Sequence, residues 1–485
     1  MPTFVRKSAY CNAMAYGSLA GIIFTFGLMP VVPAGAETLS QALASAYGNN
    51  PRIMGERAKL RATDETLARA QSGYRPTIAG QIDYTWKNTE TEPQSSADGT
   101  NLSRSYTLSA SQPLYSGGVT RNAVSEADAT IKAEREVLRD TEQLVFLDAI
   151  TAYADVVRDR ATLIVQQSNV NVLTQELKQV KARFDVGEVT KTDVEQARSS
   201  LAAAQSTVEA ARANLGASSG RYALVMGHAP DALREPAPPA RSLPGNLEEV
   251  VANAMAAKPA VVQATFLEKA QQFTIRKLTG ALLPQASLNA QLNATEVSPS
   301  NIESESASLT GTVKLPIYEA GDTRAQIRQA KESRLQLLEN IQQARQQAQS
   351  DAITAWSLLQ ASRAQLIANQ TQVQAAQTAL EGVRAELQVG QRTEIDVLTA
   401  QQTLNNAQVT LLATKHDIIV NSYRVLQTMG RLSVEMLGVP VAQYDSQAHY
   451  NETNGKWWQI TISREAGYAG IDGGLAHAVA EEIHQ

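Results

Sequence analysis

The chain has one cysteine in 485 residues, Cys11, and it lies in an N-terminal stretch that reads as a secretory leader. No disulfide, thiol nucleophile or thiolate metal ligand is expected in the exported chain. Aromatic residues make up only 5%. Large globular cores lean on aromatics, so extended helices rich in Ala, Gln and Leu are the better expectation. Proline is missing, and glycine nearly so, from about 119 to 184 and from 322 to 387. Positive charge is also short. Without Arg6 and Lys7 the balance is 41 basic against 48 acidic residues, a formal charge of −7. That gives no electrostatic basis for binding nucleic acid. His228, His416, His449, His477 and His484 form no H-E-x-x-H or other close ligand pair, so no metal and no cofactor are expected. Ser218-Ser219-Gly220 and Gly117-Gly118 lack the flanking partners of a nucleophile elbow or a phosphate loop, and no enzymatic activity is expected.

What is present begins with Arg6 and Lys7, an apolar stretch from about Ala13 to Met29, and Ala34-Gly35-Ala36. This is the order of a signal peptide over 1–36, with the exported chain beginning at Glu37. The apolar part is short for a membrane span, and no later run is expected to serve as a transmembrane helix.

The remainder is written twice. "PLYSGGVTR" from Pro113 returns as "PIYEAGDTR" from Pro316, 203 positions later, and "FDVGEVTKTDVEQARSSLAAAQ" from Phe184 matches "LQVGQRTEIDVLTAQQTLNNAQ" from Leu387 at the same offset. Pro51 and Pro76 align with Pro259 and Pro284 at an offset of 208, so one loop is shorter in the second copy. An ungapped offset held so far means internal duplication. The reading is a first repeat over 37–229, a proline-rich linker over 230–246, a second repeat over 247–437, and a tail over 438–485 that departs from the pattern. The tail carries Trp457 and Trp458, and it is either flexible or packed through that pair.

Each repeat changes period from 2 to helical. Ile78, Gly80, Ile82, Tyr84 and Trp86 alternate with polar residues, as do Tyr106, Leu108 and Ala110, Leu288, Ala290 and Leu292, and Leu309, Gly311 and Val313. These are four strands, about 76–92, 102–115, 284–297 and 305–318, each with one apolar and one polar face. Their lengths suit membrane strands of roughly 9–11 residues in the bilayer core, although a soluble sandwich would alternate in the same way. Four strands cannot close a barrel, and open edges cannot face lipid. A membrane barrel therefore requires chains to pool strands, and three chains would supply twelve.

Long helices are expected over about 119–185 and 322–388. A stretch of about 65 residues spans on the order of 100 Å at 1.5 Å per residue. Glycine turns follow, then helices over about 192–227 and 395–430. On these, Val194, Ala197, Leu201, Ala204, Val208, Ala211 and Leu215 step by 3 and 4. Val397, Ala400, Leu404, Ala407, Leu411, Thr414 and Ile418 repeat the steps 203 later. That is a coiled-coil seam of small residues. The fold class is mixed α/β, a duplicated β-hairpin plus long helical hairpin, and a membrane protein if chains pool their strands.

With its leader, its duplicated units, "QPLYSGG" and the paired "VGEVTKTDVEQA" and "VGQRTEIDVLTAQQTL", the chain resembles the TolC family of outer-membrane channel proteins from about Leu39 to Leu437. The resemblance implies a homotrimer whose twelve-stranded barrel crosses the outer membrane of a Gram-negative bacterium, above an α-helical barrel in the periplasm. It implies an exit duct for efflux or type I secretion, with a periplasmic adaptor and an inner-membrane pump of RND or ABC type as partners. It also places an entrance latch at Arg392, Thr192 and Asp193. The alternative is three solvated turn residues with Thr192 capping a helix. The family's aromatic latch partner is Leu387 here. Asp396 reads as a constriction ring or as plain surface; Thr399 replaces the second acidic residue some members carry. Gly187 and Gly390 read as adaptor docking turns or simply as turn glycines. Pro113, Tyr115 and Gly118, with Pro316, Tyr318 and Gly321, read as the joint between barrel and helices, where proline ends ladder pairing. The competing class is a periplasmic adaptor-like coiled-coil scaffold, which would not need duplicated strands.

Overall fold

The structure is a computed structural model that describes residues 36–90, 92–93, 99–239, 242–298, 302–455 and 457. Cys11, the apolar part of the leader, Trp458, His477 and His484 lie outside them.

Each repeat opens on a pair of short helices that the sequence reading did not draw. In the first, α1 (Leu39–Asn49) starts at a reciprocal cap between Thr38 and Gln41, and α2 (Pro51–Gln71) starts at Asn50, with proline in the first turn where no N–H is needed. Their second-repeat counterparts, α5 (Leu247–Ala257) and α6 (Pro259–Gly280), are arranged alike, with Asn246 capping α5. Leu247–Gly280 as a whole is apolar enough to pass for a membrane span. The proline breaks it, however, and α6 lies against the helices that follow each repeat's strands, bonded by Thr274 and Lys277 to Glu126 and by Glu268 to Arg334.

Four strands form one antiparallel sheet in chain order: β1 (Thr77–Thr89), β2 (Gly99–Tyr115), β3 (Gln285–Ser298) and β4 (Ile302–Lys314). The register aligns residue types in rows across the sheet, which fixes which face is apolar. Gln81, Thr107, Asn293 and Ser306 form a polar row, and Thr107 donates to Asn293 at 3.0 Å. The adjacent row, Gly80, Leu108, Leu292 and Ala307, is apolar. Ile78, Ile82, Tyr84 and Trp86 are each more than 60% exposed on that face of β1, so the apolar side of the sheet is uncovered in the single chain. β1 and β4 have no partner on their outer edges among the described residues.

Below the sheet stand α3 (Val119–Asp185) and α7 (Asp322–Gln388), 67 residues each, and their antiparallel companions α4 (Lys191–Met226) and α8 (Glu394–Thr428). The predicted seam is the one that packs: Ala197, Ala204, Val397 and Ala407 are among its most buried members. The largest core sits where the repeats meet at the far ends of α4 and α8. There Tyr47, Phe146, Tyr153, Tyr222 and Leu426 pack together with residues of α1. The buried aromatics among the described residues all lie in this belt.

After α9 (Val434–Leu437) the chain does not leave the body. Tyr444 stacks on the Arg57 guanidinium, and its N–H donates to the Tyr47 hydroxyl at 3.0 Å. Then α10 (Ala448–Thr453) sets His449 on Asp64 at 3.1 Å, and the Arg75 guanidinium lies 4.5 Å over the Trp457 ring. Residues 438–455 thus run as a strap along α2.

Candidate functional site at the hairpin tips

The turn between α3 and α4 and the turn between α7 and α8 share one construction. Gly187 (φ 81°) and Gly390 (φ 77°) occupy the left-handed region that only glycine enters cheaply. The N–H of each bonds back to the carbonyl three residues earlier, Phe184 or Leu387. Both are exposed, with open space where a Cβ would stand. Backbone geometry alone therefore accounts for them, and what docks there is a separate question.

The outgoing helices are closed by reciprocal caps. Thr190 Oγ1 donates to Asp193 Oδ2 at 2.8 Å, and the Thr190 N–H donates to the same oxygen at 2.9 Å. Thr393 and Asp396 repeat this at 2.8 and 2.9 Å. The capping residue is Thr190, not Thr192, which is exposed in the first turn. The T-x-x-D spacing is a sequence-level capping signature, and it was the signal for Asp193 and Asp396 that reading by position missed. The backbone and side-chain bonds from Thr393, with a smaller contribution from Arg392, hold the Asp396 carboxyl below its ordinary range.

Arg392 does not meet Thr192 or Asp193 within one chain. Its Nε donates to Glu386 Oε2 at 2.8 Å, a partner the sequence reading did not name. The bond and charge of Glu386 raise the guanidinium pKa further.

A second set of contacts joins the two hairpins along α3 and α8. Arg183, at the end of α3, pairs with Glu394, which is only 4% exposed. Further along, Gln401 donates to Asn169 at 3.1 Å and Asn405 to Gln166 at 3.3 Å, while Arg384 of α7 reaches Glu176 at 2.9 Å. Near the belt, His416 bridges Asp155 (3.0 Å) and Asp417 (2.9 Å). These amides and ions are polar residues placed in a helix seam, and periodicity read for apolar residues passes over them.

At the other end of α3 and α7, the joint differs between repeats. Gly118 (φ 84°) and Gly321 (φ 85°) start the helices in the same left-handed conformation. In the first repeat the ladder runs on past Pro113 to Tyr115 with a bulge between them. In the second, β4 stops at Lys314, before Pro316 and Tyr318. Proline therefore ends pairing in one copy only. Gly117 crosses Gly280 so closely that a Cβ on Gly280 would sit 2.5 Å from the Gly117 carbonyl oxygen. Its counterpart, Ala320, is exposed and keeps a side chain at φ 49°. Tyr115 and Tyr318 are 54% and 82% exposed. Among the described residues no group of three His, Cys, Asp or Glu side chains gathers as a metal site.

Comparison with known proteins gives a consistent account. The profile of a family described as outer membrane efflux protein matches residues 42–228 and 250–431, which is both repeats without the linker. The chain is 36% identical over 427 residues to the outer membrane efflux protein BepC of Brucella suis biovar 1, covering 88% of this chain and 92% of that one. It is 24% identical over 418 residues to the outer membrane protein TolC of Escherichia coli, 83% and 84% of the two chains. In fold it is similar to the CmeC outer membrane channel of Campylobacter jejuni, with a TM-score of 0.71 at 16% identity over 86% of this chain and 89% of that one.

Proposed function

Since the chain belongs to the outer membrane efflux protein family and is an outer-membrane export channel, we propose that three copies close one twelve-stranded barrel and continue it inward as a helical duct. One observation carries this reading. β1 and β4 are 13 residues each and unpaired on their outer edges, beside an apolar face open to the surroundings. Unpaired backbone in lipid costs several kcal/mol per group, so the edge of one copy must meet the edge of the next. The adaptor-like scaffold has no use for such a sheet. Catalysis has no place in this reading.

The duct would receive its cargo from a periplasmic adaptor and an inner-membrane pump, either an efflux pump for small molecules or a secretion pump for polypeptides. The exposed turns at Gly187 and Gly390 are the surfaces for the adaptor. Arg392 would latch the entrance against Thr192 and Asp193 of a neighbouring copy. Asp193 spends one carboxylate oxygen on its cap, leaving Oδ1 for a guanidinium. Glu386 competes for that same guanidinium, so the latch is weak and releasable. Asp396 would set a ring of three carboxylates, favouring cations.

Two measurements test this. The purified protein should need detergent for extraction and run as a trimer that heating converts to monomer. Extraction in plain buffer as a monomer would refute the barrel. In planar bilayers Arg392→Glu should raise conductance several-fold, and unchanged conductance would remove the latch while leaving the barrel.

A further inference from the structure

The duplication makes it possible to read contacts that a single chain does not contain. Positions 203 apart are equivalent on the long helices. Along the hairpins, the in-chain contacts between the repeats run chiefly from α3 to α8. In a closed ring of alternating repeats, the equivalent boundary runs from α7 of one chain to α4 of the next. Each in-chain pair therefore has a counterpart across the subunit boundary, found by moving the α3 residue forward by 203 and the α8 residue back by 203.

Applied to Arg183 and Glu394, the operation yields Glu386 and Lys191. The charges are exchanged and remain complementary. Arg183 and Glu394 meet in the single chain, with Glu394 4% exposed. Lys191 is exposed and makes no ion pair among the described residues, and the Glu386 side chain is 45% exposed. Random drift from a common ancestor has no reason to keep opposite signs on both boundaries, whereas a second contact does. Elsewhere the operation also gives compatible pairs. Asp155 and His416 become Leu358 and Ala213, apolar and both exposed in one chain. The short helices shift by 208, so the bond between Glu126 and Thr274 at 2.9 Å becomes Gln329 facing Thr66, again both exposed.

We infer that Lys191 of each chain forms an ion pair with Glu386 of a second copy at the tip of the duct, the counterpart of the pair Arg183 makes with Glu394 inside each chain. Glu386 then lies between two cations, Arg392 of its own chain and Lys191 of its neighbour. The pair draws Glu386 away from Arg392, which frees the guanidinium for the proposed latch. The inference rests on the trimeric reading above, and its test separates the two.

Cys11 is the chain's one cysteine and lies before the first repeat, so cysteines introduced in the helices report cleanly. In the membrane-embedded trimer, a short bismaleimide should link Lys191→Cys to Glu386→Cys between chains, giving dimer and trimer bands on a denaturing gel. Arg183→Cys with Glu394→Cys should link within one chain and leave a single-chain mass. A heat-sensitive trimer in which the 191/386 variant gives only single-chain mass, linked or unlinked, overturns the inference while the trimer stands. Absence of any trimer in the unmodified protein overturns both. Charge exchange gives a second readout. Lys191→Glu should raise bilayer conductance several-fold, and adding Glu386→Lys should return it to the starting level. A double variant as leaky as Lys191→Glu alone would also overturn the ion pair.

Discussion

At the scale of single residues, the most testable group outside the tips is His416. It is enclosed between Asp155 and Arg158 of α3 and Asp417 of its own helix, with Arg221 of α4 facing Asp155. Burial pulls the imidazole pKa down, but the bonds to Asp155 and Asp417 outweigh it and leave the value above that of an ordinary histidine. A raised folded value stabilises the charged form. The contribution is complete below the unfolded value, about 6.5, and fades as pH rises through the folded one. Asp155 has the opposite sign. Burial alone would raise it, yet His416 and the arginines hold it down, so its contribution fades only in acid. Between about pH 6 and about pH 8 the thermal midpoint should therefore fall for the parent protein, and His416→Ala should flatten that slope. An equal slope in both would dismiss the histidine as the titrating group. Single residues also mark the limit of what the sequence discloses. Glycines 187, 390, 118 and 321 were legible because a turn at either end of an unbroken helical run has few alternatives. The partner of Arg392 was not, because Glu386 is six residues away on the preceding helix and only the turn geometry brings it back.

At the scale of elements, the long helices, the four strands and the alanine-rich seam followed from period alone. The short helices did not. Each of α1 and α5 has 11 residues, and their packing depends on what lies opposite. For α5 that is α7, where Val250 and Ala254 meet Ala348, Ala352 and Ala355, all of them 1% exposed or less. An alanine face lets helix backbones approach closely and leaves no room for a larger side chain. Ala352→Leu should cost about 1–3 kcal/mol through overpacking, seen as a lower thermal midpoint. Removing a cap tests the tips in the same currency. Thr190→Ala should cost about 1 kcal/mol, read as faster proteolysis at the α3–α4 turn with the belt intact. The strap was hidden for another reason. His449 and Tyr444 have no periodicity, and only the folded chain sets them beside Asp64 and Arg57.

At the scale of the whole molecule, α6 of the second repeat is fastened to α3 of the first as well as to its own α7. Chains cut within 230–246 and produced as two halves should therefore recover bilayer conductance only when both halves are present. Conductance from either half alone would mean the repeats are interchangeable. The pair between Arg183 and Glu394 says why they should not be. A ring built from six first repeats would set Arg183 against Lys191, two cations. A ring built from six second repeats would set Glu386 against Glu394, two anions. An ancestor with one repeat had to satisfy a single kind of boundary. Once the doubled gene divided the charges between its halves, the way back to a six-copy assembly closed, and the length of the gene became a condition of the pore.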